Sequence, residues 1–125
     1  MTAVLDAGAL IAIDKRDRRV GAMLRVLQRD GVPLRTSAAA LAQVWRDGRR
    51  QANLARVLPG VEVAPLGDVA ARRVGELFGD SASTDLADAH VATLVTPGAL
   101  VLTSDDKDIK GLLRARGVKA RIVHV

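Results

Sequence analysis

The chain lacks cysteine altogether, and it has very few aromatic residues among its 125 positions. The missing cysteine excludes disulfide bonds, zinc sites built on thiolates and cysteine nucleophiles. One Trp, one Phe and no Tyr leave too few rings for a surface on which nucleic-acid bases could stack. The hydrophobic core must therefore consist mainly of Ala, Val, Leu and Ile, as is typical of layered α/β domains.

Long apolar runs are also missing. No run approaches the length of about 18 residues that a membrane span requires, and no signal-peptide pattern opens the sequence. A length of 125 residues is close to the commonest size of a domain. We therefore predict one cytoplasmic domain over 1–125, with no membrane contact.

Acidic residues are outnumbered: 19 Lys and Arg stand against 14 Asp and Glu, for a net charge of +5. Arginine dominates the excess, in the clusters "KRDRR", "RDGRR" and "LLRARGVKAR". A basic balance favours contact with polyanions, and nucleic acid is the first candidate. Arginines that merely cover helix faces would give the same composition, so both interpretations stay open.

Short apolar runs rich in Val alternate with longer segments of helical periodicity along the whole chain. The alternation predicts an α/β/α sandwich with a mostly parallel central sheet of about five strands. The predicted strands are 3–6, 32–36, 61–65, 99–103 and 120–125, and the predicted helices are 7–14, 16–31, 38–47, 50–58, 67–80, 85–95 and 106–117.

Acidic residues from three separate segments are expected to meet at one edge of this sheet. Asp6 and Asp105 each follow a predicted strand, while Asp85 and Asp88 lie in the first turn of the helix after a polar loop. Functional groups of parallel sheets gather at the carboxyl ends of the strands, near a switch in strand order. Any one of these acids could simply cap a helix, whereas together their carboxylates would repel one another unless a cation holds them. Oxygen ligands without cysteine favour Mg²⁺ or Mn²⁺.

Four motifs in order then resemble a known family: "VLDAGALIA", "SAAALAQVWR", "STDLADAHVA" and "LVLTSDDKDI". Their order and spacing resemble PIN-domain endoribonucleases, specifically the VapC toxins of type II toxin–antitoxin pairs. The resemblance covers essentially the whole chain. It implies a PIN-like fold, Mg²⁺-dependent hydrolysis of RNA with Mn²⁺ as a possible substitute, a homodimer, and a cognate antitoxin as partner.

The resemblance also implies roles for individual residues. Asp6, Asp88 and Asp105 match acidic positions of the family and would hold the metal as catalytic residues. Gln43, the fourth expected catalytic residue, stands where many members carry Glu, so the site loses one negative charge. Supporting roles around these ligands fall to Asp85, Ser104 and Thr103, and the expected RNA-contacting residues are Arg46, Arg49 and Arg50, which could equally be a solvated helix end.

Two alternatives to an active nuclease are a scaffold without activity and a signalling domain. A weak or inactive PIN scaffold that binds RNA or a partner protein is favoured by Gln43. A receiver-like phospho-acceptor domain would need an acidic pair after the first strand and an Asp after the third. The chain offers a single Asp6 at the first place, and "VEVAPLGD" has no acid directly at the strand end. The receiver-like alternative is therefore disfavoured.

Overall fold

Five strands form a single sheet in the order β3-β2-β1-β4-β5, and every neighbouring pair is parallel. The computed structural model describes residues 1–125. Since the chain places β2 and β3 on one side of β1 and then crosses to β4 and β5 on the other, the strand order switches between β1 and β4. The strands are β1 (Ala3–Leu5), β2 (Leu34–Ser37), β3 (Val61–Ala64), β4 (Leu100–Thr103) and β5 (Arg121–His124).

Seven α-helices connect these strands and complete the α/β/α layers, which confirms the predicted fold class. A short 3₁₀ turn, Leu58–Gly60, precedes β3. No helix has both the length and the apolar character that crossing a membrane requires. The helices are α1 (Ala7–Asp14), α2 (Arg18–Arg29), α3 (Ala38–Val44), α4 (Ala52–Val57), α5 (Asp68–Asp80), α6 (Leu86–Leu94) and α7 (Asp106–Arg116).

The core is aliphatic, as the composition predicts. Its buried apolar residues form one connected cluster of 27 side chains that contains no aromatic ring. Every residue of β1 is buried, and α6 is buried continuously from Ala87 to Ala92. A helix that is buried on nearly all sides belongs at the centre of a fold, so α6 and β1 give the acidic edge a rigid support.

Several predicted helix boundaries differ from the structure by a few residues, and two of these differences have identifiable reasons. The helix predicted over 38–47 ends at Val44, because the buried Gln51 side chain captures the segment that follows. Gln51 Nε2 donates to the Val44 carbonyl at 2.9 Å, and its Oε1 accepts from the backbone N–H groups of Arg46 and Asp47 at 2.7 and 3.1 Å. The helix predicted from 16 begins at Arg18, since the Asp17 side chain caps it.

Candidate metal centre

Asp6 lies at the carboxyl end of β1, at the switch point of the sheet. Its Oδ1 accepts the Ala9 N–H at 2.9 Å and so caps α1. Its Oδ2 accepts the Thr103 hydroxyl and, at 3.2 Å, the Ser104 N–H. Burial raises the pKa of the Asp6 carboxyl, and the hydrogen bonds from Thr103, Ala9 and Ser104 oppose that rise. These bonds join the ends of β1 and β4 through one carboxylate.

Gly8 allows the first turn of α1 to approach the end of β4. A Cβ atom at this position would lie 1.9 Å from Ser104 Oγ, 2.5 Å from Ser104 Cβ and 3.1 Å from Ser104 N. The Oγ atom can rotate away, but the Cβ and the backbone nitrogen cannot move without shifting the chain. The glycine in "LDAGAL" is therefore required by the close packing beside Asp6.

Three carboxylates gather where α6 and α7 begin. Asp88 occupies the first turn of α6, while Asp105 and Asp108 lie at the N-terminus of α7. One oxygen from each carboxylate can be chosen so that all three lie within 4.8 Å of one another. Asp88 is only 6% exposed, whereas Asp105 faces solvent. We call these three residues the acidic centre.

Asp88 is the group that most needs a cation. Burial, above all, raises the pKa of Asp88 to about 9, and the neighbouring carboxyls of Asp105, Asp108 and Asp85 add to the effect. Its Oδ2 is buried and has no hydrogen-bond partner. Since buried polar atoms are normally paired, an orphaned carboxylate oxygen among two further acids fits a hard divalent cation such as Mg²⁺ or Mn²⁺.

The loop before α6 holds the acidic centre in place. Asp85 accepts the Asp88 N–H at 2.8 Å and caps the helix. The Ser83 hydroxyl donates to Asp108 Oδ2 at 2.8 Å and accepts the Asp85 N–H at 3.2 Å. A cleft of about 570 Å³ opens between this loop and α7, and the cations Lys107 and Arg114 line it. An anionic ligand in this cleft would lie beside the carboxylates.

The structure brings together two of the three predicted metal ligands, Asp88 and Asp105, and adds Asp108. Asp6 is not a member of the acidic centre. It is connected to it through Thr103, whose Oγ1 donates to Asp6 and accepts the Asp105 N–H at 2.8 Å. Metal ligation by Asp6 stays a prediction. Sequence reasoning missed Asp108, although its spacing of three from Asp105 in "SDDKD" was a usable signal.

The remaining predicted residues lie around α3. Gln43 is exposed in the last turn of the helix and makes no side-chain hydrogen bond. The Arg46 guanidinium folds back onto the carbonyls of Ala42 and Trp45, at 3.1 and 2.7 Å. Arg49 pairs with Asp47 at 3.6 Å, and Arg50 is exposed. Their contact with RNA, like a catalytic role for Gln43, stays a prediction.

The sequence matches no protein-family model and no curated protein. The fold, in contrast, is similar to that of several solved chains. A chain of the VapBC2 complex from Rickettsia felis, bound to a DNA fragment from its promoter, superposes with a TM-score of 0.73 at 17% identity, covering 98% of this chain and 99% of that chain. DNA-bound VapBC from Salmonella typhimurium gives 0.66 at 16% identity, covering 99% and 98%. FitAcB from Neisseria gonorrhoeae gives 0.59 at 20% identity, covering 96% of each chain.

The structure itself defines the class of the protein first: an α/β/α fold on a five-stranded parallel sheet, with carboxylates at its switch point. The same fold is found in the matched chains of VapBC2, VapBC and FitAcB, so the PIN-like fold that the sequence motifs predicted is confirmed. At these identities the likeness extends to the fold alone.

Proposed function

We propose that the protein is a divalent-metal-dependent endoribonuclease that acts as the toxin of a toxin–antitoxin pair. The observation that carries this proposal is the buried, unpartnered oxygen of Asp88 within the acidic centre, where the pKa of the carboxyl is raised to about 9. A carboxylate held in this way gains most from a cation. The position at the switch point of a parallel sheet favours a ligand site over a structural cluster.

Asp88, Asp105 and Asp108 would hold the cation, with Asp6 behind them as the carboxylate that fixes Thr103 and Ser104. When bound, a cation of this kind neutralises the charge of a phosphodiester and lowers the pKa of a coordinated water. To hold a cation, Asp88 would have to be ionised, because a ligating carboxylate carries no proton.

The chain's own cations would place the RNA. Lys107 and Arg114 line the cleft beside the acidic centre, where they can bind phosphates on either side of the scissile bond. Ser83 keeps Asp108 in one orientation through its hydrogen bond. We expect hydrolysis that leaves a 3′-hydroxyl and a 5′-phosphate and does not need the 2′-hydroxyl of the RNA.

Two partners are part of the proposal. The solved VapBC and FitAcB chains belong to complexes, which supports a cognate antitoxin for this chain as well. We also propose a homodimer. Analytical ultracentrifugation tests that part separately: a dimer at micromolar concentration supports it, and a monomer contradicts it.

The direct test is cleavage of a structured RNA by the purified protein in Mg²⁺ or Mn²⁺. Asp88→Asn and Asp105→Asn should abolish cleavage, and Asp6→Asn should reduce or abolish it. Asp68→Asn is the matched control, because Asp68 is exposed on α5 and pairs only with Arg72. Loss of cleavage in the three site variants, with activity kept in the control, supports the proposal. A lack of metal-dependent cleavage by the parent protein under all of these conditions contradicts it.

The exposed Gln43 favours a second candidate, a weak or inactive scaffold that binds RNA or a partner protein. If the missing carboxylate limits the site, Gln43→Glu should increase the cleavage rate or lower the Mg²⁺ concentration that cleavage requires. A scaffold would bind RNA without metal-dependent cleavage in either form. This variant therefore separates a weakened enzyme from a binding protein.

A further inference from the structure

A second cleft lies between the C-terminal end of α1, the helix α2 and the helix α4. Its volume is about 530 Å³, and four of the residues that line it are arginines. Two of them come from the "KRDRR" segment that joins α1 to α2. The lining arginines are Arg16, Arg18, Arg25 and Arg56, and we call this surface the arginine cleft.

The four positive charges of the arginine cleft face a single carboxylate in its lining, that of Asp17. None of its four guanidinium groups forms an ion pair with a carboxylate. Arg56 donates only to the neutral amide oxygen of Asn53. The one acid in the lining, Asp17, already uses Oδ1 to accept the Val20 N–H at 2.9 Å and cap α2. Four cations around one carboxylate in a concave surface give a net positive potential, which attracts a polyanion.

Arg16 adds an independent observation. Its φ is +57°, in the left-handed region that L side chains rarely adopt. The helix α1 ends there in a Schellman motif: the Arg16 N–H donates to the Ile13 carbonyl at 3.1 Å and the Asp17 N–H to the Ala12 carbonyl at 2.9 Å. Glycine is the residue that this position favours. The chain carries an arginine in the cleft at a place where glycine would stabilise the fold.

The chemistry of the lining points to phosphates and away from an apolar segment. The apolar face of α2 packs into the core, where Val20, Leu24 and Leu27 are buried. What α2 presents to the cleft is chiefly polar, and guanidinium groups bind phosphate oxygens in paired hydrogen bonds. The arginine cleft is also separate from the acidic centre, because it shares no lining residue with that centre or with the cleft beside it.

We propose that the arginine cleft binds the phosphodiester backbone of single-stranded RNA, as a contact surface separate from the acidic centre. The choice of RNA among polyanions rests on the proposed function. Binding at the cleft needs no divalent cation, so it can be measured without cleavage.

The test is the binding of a fluorescently labelled single-stranded RNA in EDTA, followed by anisotropy at several salt concentrations. Arg16→Gly and the double variant Arg25→Gln/Arg56→Gln should weaken binding at least about threefold. Each lost phosphate contact should also flatten the slope of log K against log salt by about 0.7. Arg19→Gln is the control, because Arg19 is an exposed residue of α2 outside the cleft that carries the same charge.

Arg16→Gly gives a second readout that a structural role for this residue would not produce. The variant should unfold at a higher temperature than the parent while binding RNA more weakly. A drop in both stability and binding would contradict a binding role for Arg16. If Arg19→Gln weakens RNA binding as much as the cleft variants do, the attraction depends on overall charge and not on the arginine cleft. That result would overturn the proposal.

Three further arms identify the ligand and separate the two proposals. The parent protein should bind RNA more tightly than it binds duplex DNA or poly-glutamate. If either of these polyanions binds more tightly than RNA and its binding also depends on Arg16, the choice of RNA is overturned. The Asp68→Asn protein, changed on the exposed face of α5 away from both clefts, should bind RNA as the parent does. If the parent protein binds RNA through the arginine cleft but never cleaves it, the proposed function is refuted. The proposal that the arginine cleft binds RNA would still be supported.

Discussion

Asp88 is the residue whose protonation decides the state of the acidic centre. Its carboxyl is buried beside Asp105 and Asp108, which raises its pKa from 3.8 to about 9. Between these two values the folded chain holds a proton that the unfolded chain releases. The stability that this proton brings is complete below pH 3.8 and is lost as the pH rises through about 9.

The Asp88→Asn variant cannot ionise, so it should escape this loss. In EDTA we expect the variant to be more stable than the parent near pH 8, with a difference that shrinks steadily toward pH 4. Urea unfolding at a series of pH values measures it. Asp68→Asn, on the exposed face of α5, should follow the parent at every pH. Parallel curves for the parent and Asp88→Asn would show that Asp88 titrates normally.

Gly8 gives a steric prediction at the same scale. Gly8→Ala would place a methyl group 2.5 Å from Ser104 Cβ and 3.1 Å from Ser104 N, so the chain beside Asp6 must shift. Such overpacking costs about 1–3 kcal/mol of unfolding free energy. Gly75→Ala on α5 is the control, since a Cβ there has nothing within 4 Å and should stabilise the helix by roughly 0.5–1 kcal/mol. Equal stability of Gly8→Ala and the parent in urea would contradict the steric argument.

Among the elements, α3 shows how one distant side chain sets a helix end. Gln51 makes three hydrogen bonds to the backbone of Val44, Arg46 and Asp47 while being only 9% exposed. Gln51→Ala leaves these groups without their partner and should cost about 1–3 kcal/mol. Gln43→Ala is the matched control, because Gln43 is exposed and unbonded and should change stability by less than about 0.5 kcal/mol.

Hydrogen exchange adds the local readout for Gln51→Ala. Amides of residues 45–50 should exchange faster in this variant, while those of α6 keep their protection, since that helix is packed into the core. Unchanged exchange at 45–50 would mean that the segment is held by contacts other than Gln51.

The elements themselves were predictable because their signals are local. The alternation of Val-rich runs with segments of helical periodicity predicted the five strands and seven helices. The aliphatic composition predicted a core without aromatic rings. The ends of α2 and α3 were predicted less well. Asp17 caps α2 through a hydrogen bond to a residue close by in the sequence. The hydrogen bonds that Gln51 makes to the end of α3 form only because the segment between them folds back, which the sequence pattern does not indicate.

At the scale of the whole molecule, the sheet topology explains which part of the site could be predicted from the sequence and which part could not. With β1 at the centre of the sheet, residues that follow β1 and β4 had to meet, so the acidic edge was predictable. Asp88 and Asp105 of the acidic centre were expected, whereas the membership of Asp108 was not. The oxygens of Asp6 accept hydrogen bonds from Thr103 and Ser104. In the sequence, Asp108 looks like an ordinary acid in the first turn of a helix. Only the structure shows that Ser83 and Asp88 lie beside it.

The central claim is that the acidic centre is a divalent-metal site, and calorimetric titration of Mn²⁺ into the protein tests it most directly. At pH 7 the parent should bind one ion and release about one proton, because Asp88 is protonated before loading. Repeating the titration in buffers of different ionisation enthalpy counts that proton. Asp105→Asn should weaken binding strongly, and Asp68→Asn should not change it. Absence of binding at millimolar Mn²⁺, or binding that survives in Asp105→Asn and releases no proton, would contradict the claim.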